Sequence, residues 1–435
     1  MSLKSLSPEL KKIMGNTAWL FSDRLLQLGL GVVVGVWVAR YLGPTDFGLY
    51  NYIIAMVSLF TPLAKLGLDN IIVRDIAKDI NRKDSTLGTG LMLRIVASVV
   101  AAIAVWLTVF ALNPESNQTH LLVGIFAIAS GFRSFDVIEY WFQSQVQAKY
   151  MVWARNAVYI TINVLKVWMI QMQAPLIVFV GILSLEQIFT ALGLICAYHW
   201  QGNRIWRWRV QRQRAKTLLN DSWPLILSGI VIIIYMRIDQ VMLERMVGLE
   251  SVGLYSAAVK ISEMWYFVPI SIVNSVFPSV VQAKDLGEAV YRGRIQKLFN
   301  FMTLVGYGVA IPMTFLAPFC VYLLYGPNFE AAATVLTIHI WAGVFVSLGV
   351  ARETWLTTEG LMRFSAATTA VGAAVNVVLN WFLIPKYGGS GAAIATVAAQ
   401  IFASYIAGAF YAETRSIFWS QTQALFLIGW LRRET

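Results

Sequence analysis

A small set of charged residues lies inside stretches of this 435-residue chain that are otherwise apolar: Asp23, Arg24, Lys65, Asp69, Arg237, Asp239, Lys260 and Glu263. An ionised side chain at the centre of a bilayer costs at least about 2.5–3.5 kcal/mol on insertion scales, so each of these needs a partner, a wet cavity or a ligand. Arginine offers a planar fork that matches two anionic oxygens, and lysine offers a compact point charge. The carboxylates would hold such cations in place or take up and release protons or ions. A structural alternative stays open. Arg237 with Asp239, and Lys260 with Glu263 three residues on, could be ion pairs within a bundle, and Arg24 and Lys65 could snorkel to an interface.

Other embedded charges, Arg133, Asp136, Glu139, Lys166, Glu186, Arg352 and Glu353, are expected to knit helices together, with Lys166 and Glu186 at matching depth. His339 is expected to be a hydrogen-bonded packing residue, with proton coupling as its alternative, and Asn163, Asn376 and Asn380 to bond between helices.

Catalytic signatures are missing. The chain has no G-x4-G-K-[ST] phosphate loop and no H-E-x-x-H, and its three histidines are scattered. Cys196 and Cys320 both fall in apolar segments, against a disulfide framework or a thiolate metal site. No metal, cofactor or ATP site is therefore expected. Energy would come from a monovalent cation gradient, the membrane potential, or removal of product on the far side.

The elements that must position these charges are membrane helices. Apolar residues make up 58% of the chain and charged ones 13%, too few to clothe a water-soluble domain of this length. Apolar segments of near membrane-spanning length occur at 14–40, 46–68, 88–112, 119–145, 156–173 and 175–199, then at 217–247, 251–281, 298–324, 331–357, 364–385 and 391–412. The first has no small-residue cleavage site and is expected to be retained. Of the 34 basic residues, 23 fall in alternate connections, against 3 (Arg40, Arg245, Lys386) on the other side. That bias predicts cytoplasmic N- and C-termini. Counted from the turns at 1.5 Å per residue, Arg237, Asp239 and Glu263 come near mid-membrane and Lys260 closer to the periplasmic face. Asp23, Arg24 and Lys65 come near the cytoplasmic end, with Asp69 at or beyond it. The net charge of +11 suits an anionic inner leaflet, and nothing argues for nucleic acid.

The expected organisation is an N-terminus at 1–13, a first six-helix lobe at 14–199, a basic linker at 200–216, a second lobe at 217–412 and a tail at 413–435. The linker, with Trp206 and Trp208 alternating with Arg207 and Arg209, reads as solvated or resting on lipid head groups. The tail reads as an interfacial helix capped by Arg432-Arg433, not a thirteenth span.

The two halves repeat one another. Leu42-Gly43-x3-Phe47-Gly-Leu-Tyr50 returns as Val247-Gly248-x3-Val252-Gly-Leu-Tyr255, and Glu139-x-Trp141 and Asn163-x4-Trp168 return as Glu353-x-Trp355 and Asn376-x4-Trp381. Six spans in each copy give both copies the same direction in the membrane, related by an axis along its normal.

The pieces Asn16-Thr-Ala-Trp19, Asp23-Arg24, Trp37-Val-Ala-Arg-Tyr-Leu-Gly-Pro44, Leu66-Gly-Leu-Asp69 and Arg74, followed by Ser222-Trp-Pro224, Tyr235-Met-Arg-Ile-Asp-Gln240, Gly253-Leu-Tyr-Ser-Ala-Ala258 and Ile384-Pro-Lys-Tyr-Gly388, resemble the polysaccharide-transporter family of bacterial lipid-linked oligosaccharide flippases. That family belongs to the multidrug/oligosaccharidyl-lipid/polysaccharide flippase superfamily. The resemblance implies an all-α polytopic fold of about 12 transmembrane helices in two pseudo-two-fold-related lobes, V-shaped around a central cavity faced by spans one, two, seven and eight. It implies a cargo of undecaprenyl-diphosphate-linked oligosaccharide, moved across a bacterial inner membrane by alternating access. Arg24, Arg237, Lys260 and Lys65 would then contact the diphosphate, and Asp23, Asp239, Glu263 and Asp69 would be the cavity carboxylates. Membrane lipids, a polysaccharide polymerase and glycosyltransferases are the implied partners. Two alternatives remain: a cation-coupled multidrug exporter of the same superfamily, and a membrane glycosyltransferase or polymerase, for which large extramembrane loops are missing.

Overall fold

The computed structural model describes residues 8–428, and every described element is a helix. In hydrocarbon a chain must satisfy its own backbone hydrogen bonds, and the apolar runs do so as helices. Among the described residues nine helical segments are long and apolar enough to cross a membrane. Two of these each hold a pair of expected spans. Helix α1 (Pro8–Leu59) contains Gly43 in a non-helical, positive-φ conformation (72°), and α15 (Met362–Ile401) contains Gly388 at φ 55°. Helix α7 (Ala148–Gln171) carries Lys149, Arg155 and Lys166 and is outside the nine, yet its 24 residues rise about 36 Å, enough to span.

The described chain forms two compact units. One takes in the chain up to Leu42 together with Tyr52–Ile233; the other takes in Gly43–Asn51 and everything from Ile234 onward.

The first unit holds α2 (Thr61–Lys65), α3 (Asp69–Lys78), α4 (Lys83–Leu112), α5 (Asn117–Ser130), α6 (Val137–Ser144), α7, α8 (Leu176–Trp200) and the beginning of α9 (Arg212–Met246). A 3-10 segment, Gly131–Asp136, separates α5 from α6. Ile72, Leu87, Phe142, Leu194 and Leu218 meet in a common core that ties α3, α4, α6, α8 and α9 together. The basic linker, expected to be solvated or on head groups, is docked on this unit. The Arg209 amide donates to the Asp84 carbonyl (3.1 Å) and the Gln211 amide to Thr89 Oγ1 (3.1 Å). Arg214 donates to Thr86 Oγ1 (3.2 Å) and meets Asp75 at 2.8 Å. The local reason is Gly88, where a Cβ would stand 2.7 Å from the Arg209 carbonyl oxygen. Only a residue without a side chain lets the linker backbone come this close.

The second unit holds α10 (Leu249–Glu263), α11 (Phe267–Asp285), α12 (Glu288–Tyr325), α13 (Ala332–His339), α14 (Ala342–Thr358), α15, α16 (Ala407–Phe410) and α17 (Arg415–Leu425). Tyr291, Phe299, Met302, Leu348 and Leu356 form its core, joined by Ile417 and Ala424 of α17. At 11 residues, or about 16 Å, α17 is too short to span. Its Gln421 is buried and donates to the Ser404 carbonyl (3.1 Å), so this part of the tail is packed into the unit and does more than rest on an interface. Arg432-Arg433 and residues 1–7 lie outside the described residues.

The duplicated turn motifs meet inside this unit. A Cβ on Gly48 would fall on the Leu249 carbonyl oxygen, and a Cβ on Gly253 would fall on the Pro44 carbonyl oxygen. Each glycine thus packs on the residue that follows the other copy's turn glycine, Gly248 (φ 116°) or Gly43. Membrane helices have no hydrophobic drive towards one another, and small residues permit the close backbone approach that holds them.

Candidate functional site

In the first unit, α2 stops at Lys65 because Leu66 turns left-handed (φ 55°), and α3 restarts at Asp69, so one tight corner presents both charges. The 3-10 segment presents Arg133 and Asp136, and α6 continues with Glu139. Beneath them is Arg94 of α4, 1% exposed. Its guanidinium donates to Tyr140 Oη (2.7 Å), the Arg133 carbonyl (2.6 Å) and Asp136 Oδ2 (3.2 Å). That clamp fixes the 3-10 segment where helical backbone bonds have been given up. Arg155 of α7 meets Glu139 at 3.4 Å, and Lys166 meets Glu186 of α8 at 3.6 Å.

All of these groups but Arg94 and Lys166 wall a cavity of about 530 Å³. Three cations (Lys65, Arg133, Arg155) and four carboxylates (Asp69, Asp136, Glu139, Glu186) line it, with Gln27, Asn70, Gln143, Gln187, Thr190 and two tyrosines between them. Charges of both signs, nearly balanced and interleaved with amides and hydroxyls, make a surface that hydrogen-bonds in every direction.

Lys65 and Asp69, expected on sequence grounds, are thus brought together. Asp23 is buried on α1 and accepts a hydrogen bond from Gln27 Nε2 (2.9 Å), while Arg24 beside it is exposed. Arg133, Asp136, Glu139 and Glu186, expected only to knit the lobe, do so and also line the cavity. Arg94 and Arg155 were missed. Arg94 carried the signal, a charge within the apolar stretch 88–112. Arg155 lies one residue ahead of the apolar segment 156–173 and so reads as part of a connection, but α7 begins seven residues before it.

In the second unit Asp239 is 4% exposed and surrounded by neutral groups. Tyr255 Oη (2.5 Å), Asn380 Nδ2 (2.5 Å) and Thr396 Oγ1 (2.9 Å) donate to its carboxylate, and Asn380 Nδ2 also reaches Asn376 Oδ1 (3.0 Å). Asn380 Oδ1 is buried without a hydrogen-bond partner among the described residues. The pair considered between Arg237 and Asp239 is corrected here: residues two apart on a helix point to different faces, and Asp239 turns to α10 and α15. Arg237, half-buried, has Glu263 as a charged neighbour. Lys260 is half-buried on α10. His339 Nδ1 meets Ser262 Oγ at 2.9 Å, a buried packing contact. Arg352 donates to the Ala403 carbonyl (2.7 Å) and Thr368 Oγ1 (3.3 Å), and Glu353 accepts from Ser365 Oγ (2.8 Å), so both knit the unit. Among the described residues no three His, Cys, Asp or Glu side chains come together as a metal site.

Residues 13–284 match the family model described as polysaccharide biosynthesis protein, and residues 224–382 match the MatE model. An uncharacterized membrane protein of Methanocaldococcus jannaschii is 22% identical, with 89% of this chain and 81% of the relative covered. A probable flippase of Haloferax volcanii, AglR, is 28% identical over 40% of this chain and 37% of its own length. Among solved structures, an inward-facing multidrug resistance MATE family transporter of the MOP superfamily superposes with a TM-score of 0.73 at 15% identity, covering 92% of this chain and 96% of that one. The lipid II flippase MurJ gives 0.72 at 14% identity, covering 97% and 94%. At these identities the two structures establish the fold.

Proposed function

We propose, on the premise that the chain belongs to the polysaccharide biosynthesis protein family, that it is a flippase carrying an undecaprenyl-diphosphate-linked oligosaccharide from the cytoplasmic to the periplasmic leaflet. It is a multi-pass membrane transporter of the MOP superfamily and not an enzyme.

The observation that carries the cargo is the polar cavity of the first unit. Sugar hydroxyls and phosphates stripped of water in hydrocarbon leave unsatisfied groups at several kcal/mol each. Carboxylates and amides in the cavity accept from and donate to such hydroxyls, and Lys65 and Arg133 are the cations we assign to the diphosphate. Arg24, Arg237 and Lys260 are further cationic contacts along the path in this proposal, with Asp23 and Glu263 as the carboxylates that orient them. Asp239 has a different task. A buried carboxylate with the hydroxyl oxygens of Tyr255 and Thr396 against it, and the amide side chains of Asn376 and Asn380 beside it, offers oxygen ligands of the kind a hard monovalent cation takes, and we assign it to ion coupling. Alternating access in the inner membrane, with both termini cytoplasmic and with glycosyltransferases and a polymerase as partners, completes the proposal.

The test is translocation of a fluorescent lipid-linked oligosaccharide by purified protein in liposomes, with and without a sodium or proton gradient. Arg133→Ala should lower the rate roughly tenfold to a hundredfold, the equivalent of one charge-assisted contact of about 1.5–3 kcal/mol. Asp239→Asn should remove the response to the gradient. No translocation by wild-type protein would refute the flippase. The MatE match over 224–382 favours a second reading, a multidrug exporter, and ethidium efflux by the same liposomes without lipid-linked oligosaccharide movement would establish it instead.

A further inference from the structure

The first unit has a second cavity, an apolar groove of about 450 Å³ between α4 and α5. Val99, Ile103 and Trp106 on α4 and Ile128 on α5 are half or more exposed along it or nearly so, and Gly124 and Ala127 form its floor. From Ile95 to Trp106 it runs about 16 Å along α4. Any outward face of a membrane helix is apolar, so exposure alone says nothing. What sets this groove apart is where it leads. It shares Ser98, Ala102, Ala127 and Gly131 with a narrow neck of about 30 Å³, and that neck shares Lys65 and Arg133 with the polar cavity. The buried Arg94 guanidinium also lines the neck, and its Nε has no hydrogen-bond partner among the described residues. The order along the unit is therefore apolar groove, cationic neck, hydroxyl-binding cavity.

We propose that the α4–α5 groove seats the polyprenyl tail of the cargo lipid while Lys65 and Arg133, at the junction of the neck and the polar cavity, hold its phosphates. The proposal rests on the flippase reading and adds to it the place of the tail. A lipid-linked sugar has its parts in the same order: hydrocarbon, then anionic linkage, then polyhydroxyl head. The two cations stand where the apolar and polar walls meet, which is where the charge of such an amphiphile must go. A tail held in the groove stays in contact with protein and with the bilayer while its head is in the cavity, so the head does not have to drag the whole hydrocarbon chain through a polar space.

The experiment uses full-length protein in nanodiscs of phosphatidylethanolamine and phosphatidylglycerol. The probe is a trace of polyprenyl diphosphate that carries a diazirine on its tail and no sugar. Photoadducts should map to Val99, Ile103 and Ile128. They should fall about tenfold in Gly124→Trp, which fills the groove, and on addition of unlabelled polyprenyl diphosphate. Ile103→Trp, at an exposed position, gives the same occlusion should Gly124→Trp not fold. Val164→Trp, on the outer face of α7, should leave the adducts unchanged. Adducts spread evenly over the outer helix faces would overturn the proposal, as would adducts undiminished by either occluding variant. A diazirine-tailed phosphatidylglycerol that labels the groove as well as the polyprenyl probe does would make it ordinary bilayer contact and overturn it too. Translocation in the liposome assay with adducts elsewhere removes the tail seat alone, whereas a wild-type protein that translocates nothing removes the reading beneath it.

Discussion

Arg94 places a guanidinium at 1% exposure with a phenol, a carbonyl and a carboxylate around it. A buried cation of this kind is expensive to desolvate, and taking it away leaves Asp136 and the Arg133 carbonyl short of a partner. Arg94→Ala should therefore destabilise by about 3–5 kcal/mol. Arg94→Lys, which keeps the charge but loses the fork, should lose about 1–3 kcal/mol. Thermal unfolding of the purified protein in detergent measures both, and an Arg94→Ala variant within about 0.5 kcal/mol of wild type would show that the clamp contributes little. Asp239 is satisfied in the opposite way, by neutral groups. That difference suits the ion-coupling role proposed for Asp239, whereas the charge of Arg94 has a fixed carboxylate partner.

At the scale of elements, the duplicated turns bear on one another through glycine. Gly48→Ala and Gly253→Ala would each put a methyl group on a carbonyl oxygen of the other copy, where neighbouring backbone cannot yield cheaply. Each should lower stability by about 1–3 kcal/mol or more. Gly181 on α8 is the contrast, since a Cβ there meets nothing within 4 Å. Gly181→Ala should be neutral or stabilise by up to about 1 kcal/mol. The comparison is a thermal shift series on the three variants, and equal losses in all three would show that close approach is not what selects the first two. Gly88 acts similarly for the linker, whose extended backbone lies over α4 and starts α9 from a fixed point.

For the whole molecule, the uneven division of basic residues gives a testable orientation. In a background without Cys196 and Cys320, Gln211→Cys should react with an impermeant maleimide only after the membrane is opened, and Asn117→Cys should react in intact cells. Both side chains are exposed, so accessibility reports sidedness and not burial. Labelling of Gln211→Cys from outside intact cells would invert the topology and with it the proposed direction of transport.

The membrane helices, the repeated motifs and the family were legible in the sequence, because hydropathy and motif spacing are properties of neighbouring residues along one dimension. Asp239 stood out too, as a carboxylate deep in an apolar run. Which charges meet was not legible. Arg237 and Asp239 look paired on paper, but the helix turns them to different faces, and only the packing of α10 and α15 supplies Tyr255, Asn380 and Thr396 to the carboxylate. The break at Gly131–Asp136 has no proline or charge run to announce it, yet it points Arg133 and Asp136 into a cavity instead of along a helix. A linker read as solvated is docked because one glycine on another helix leaves room for it. In each case the deciding quantity is the rotation and register of one helix against another. Those are set by side-chain fit across the whole unit and leave no periodic trace in the chain.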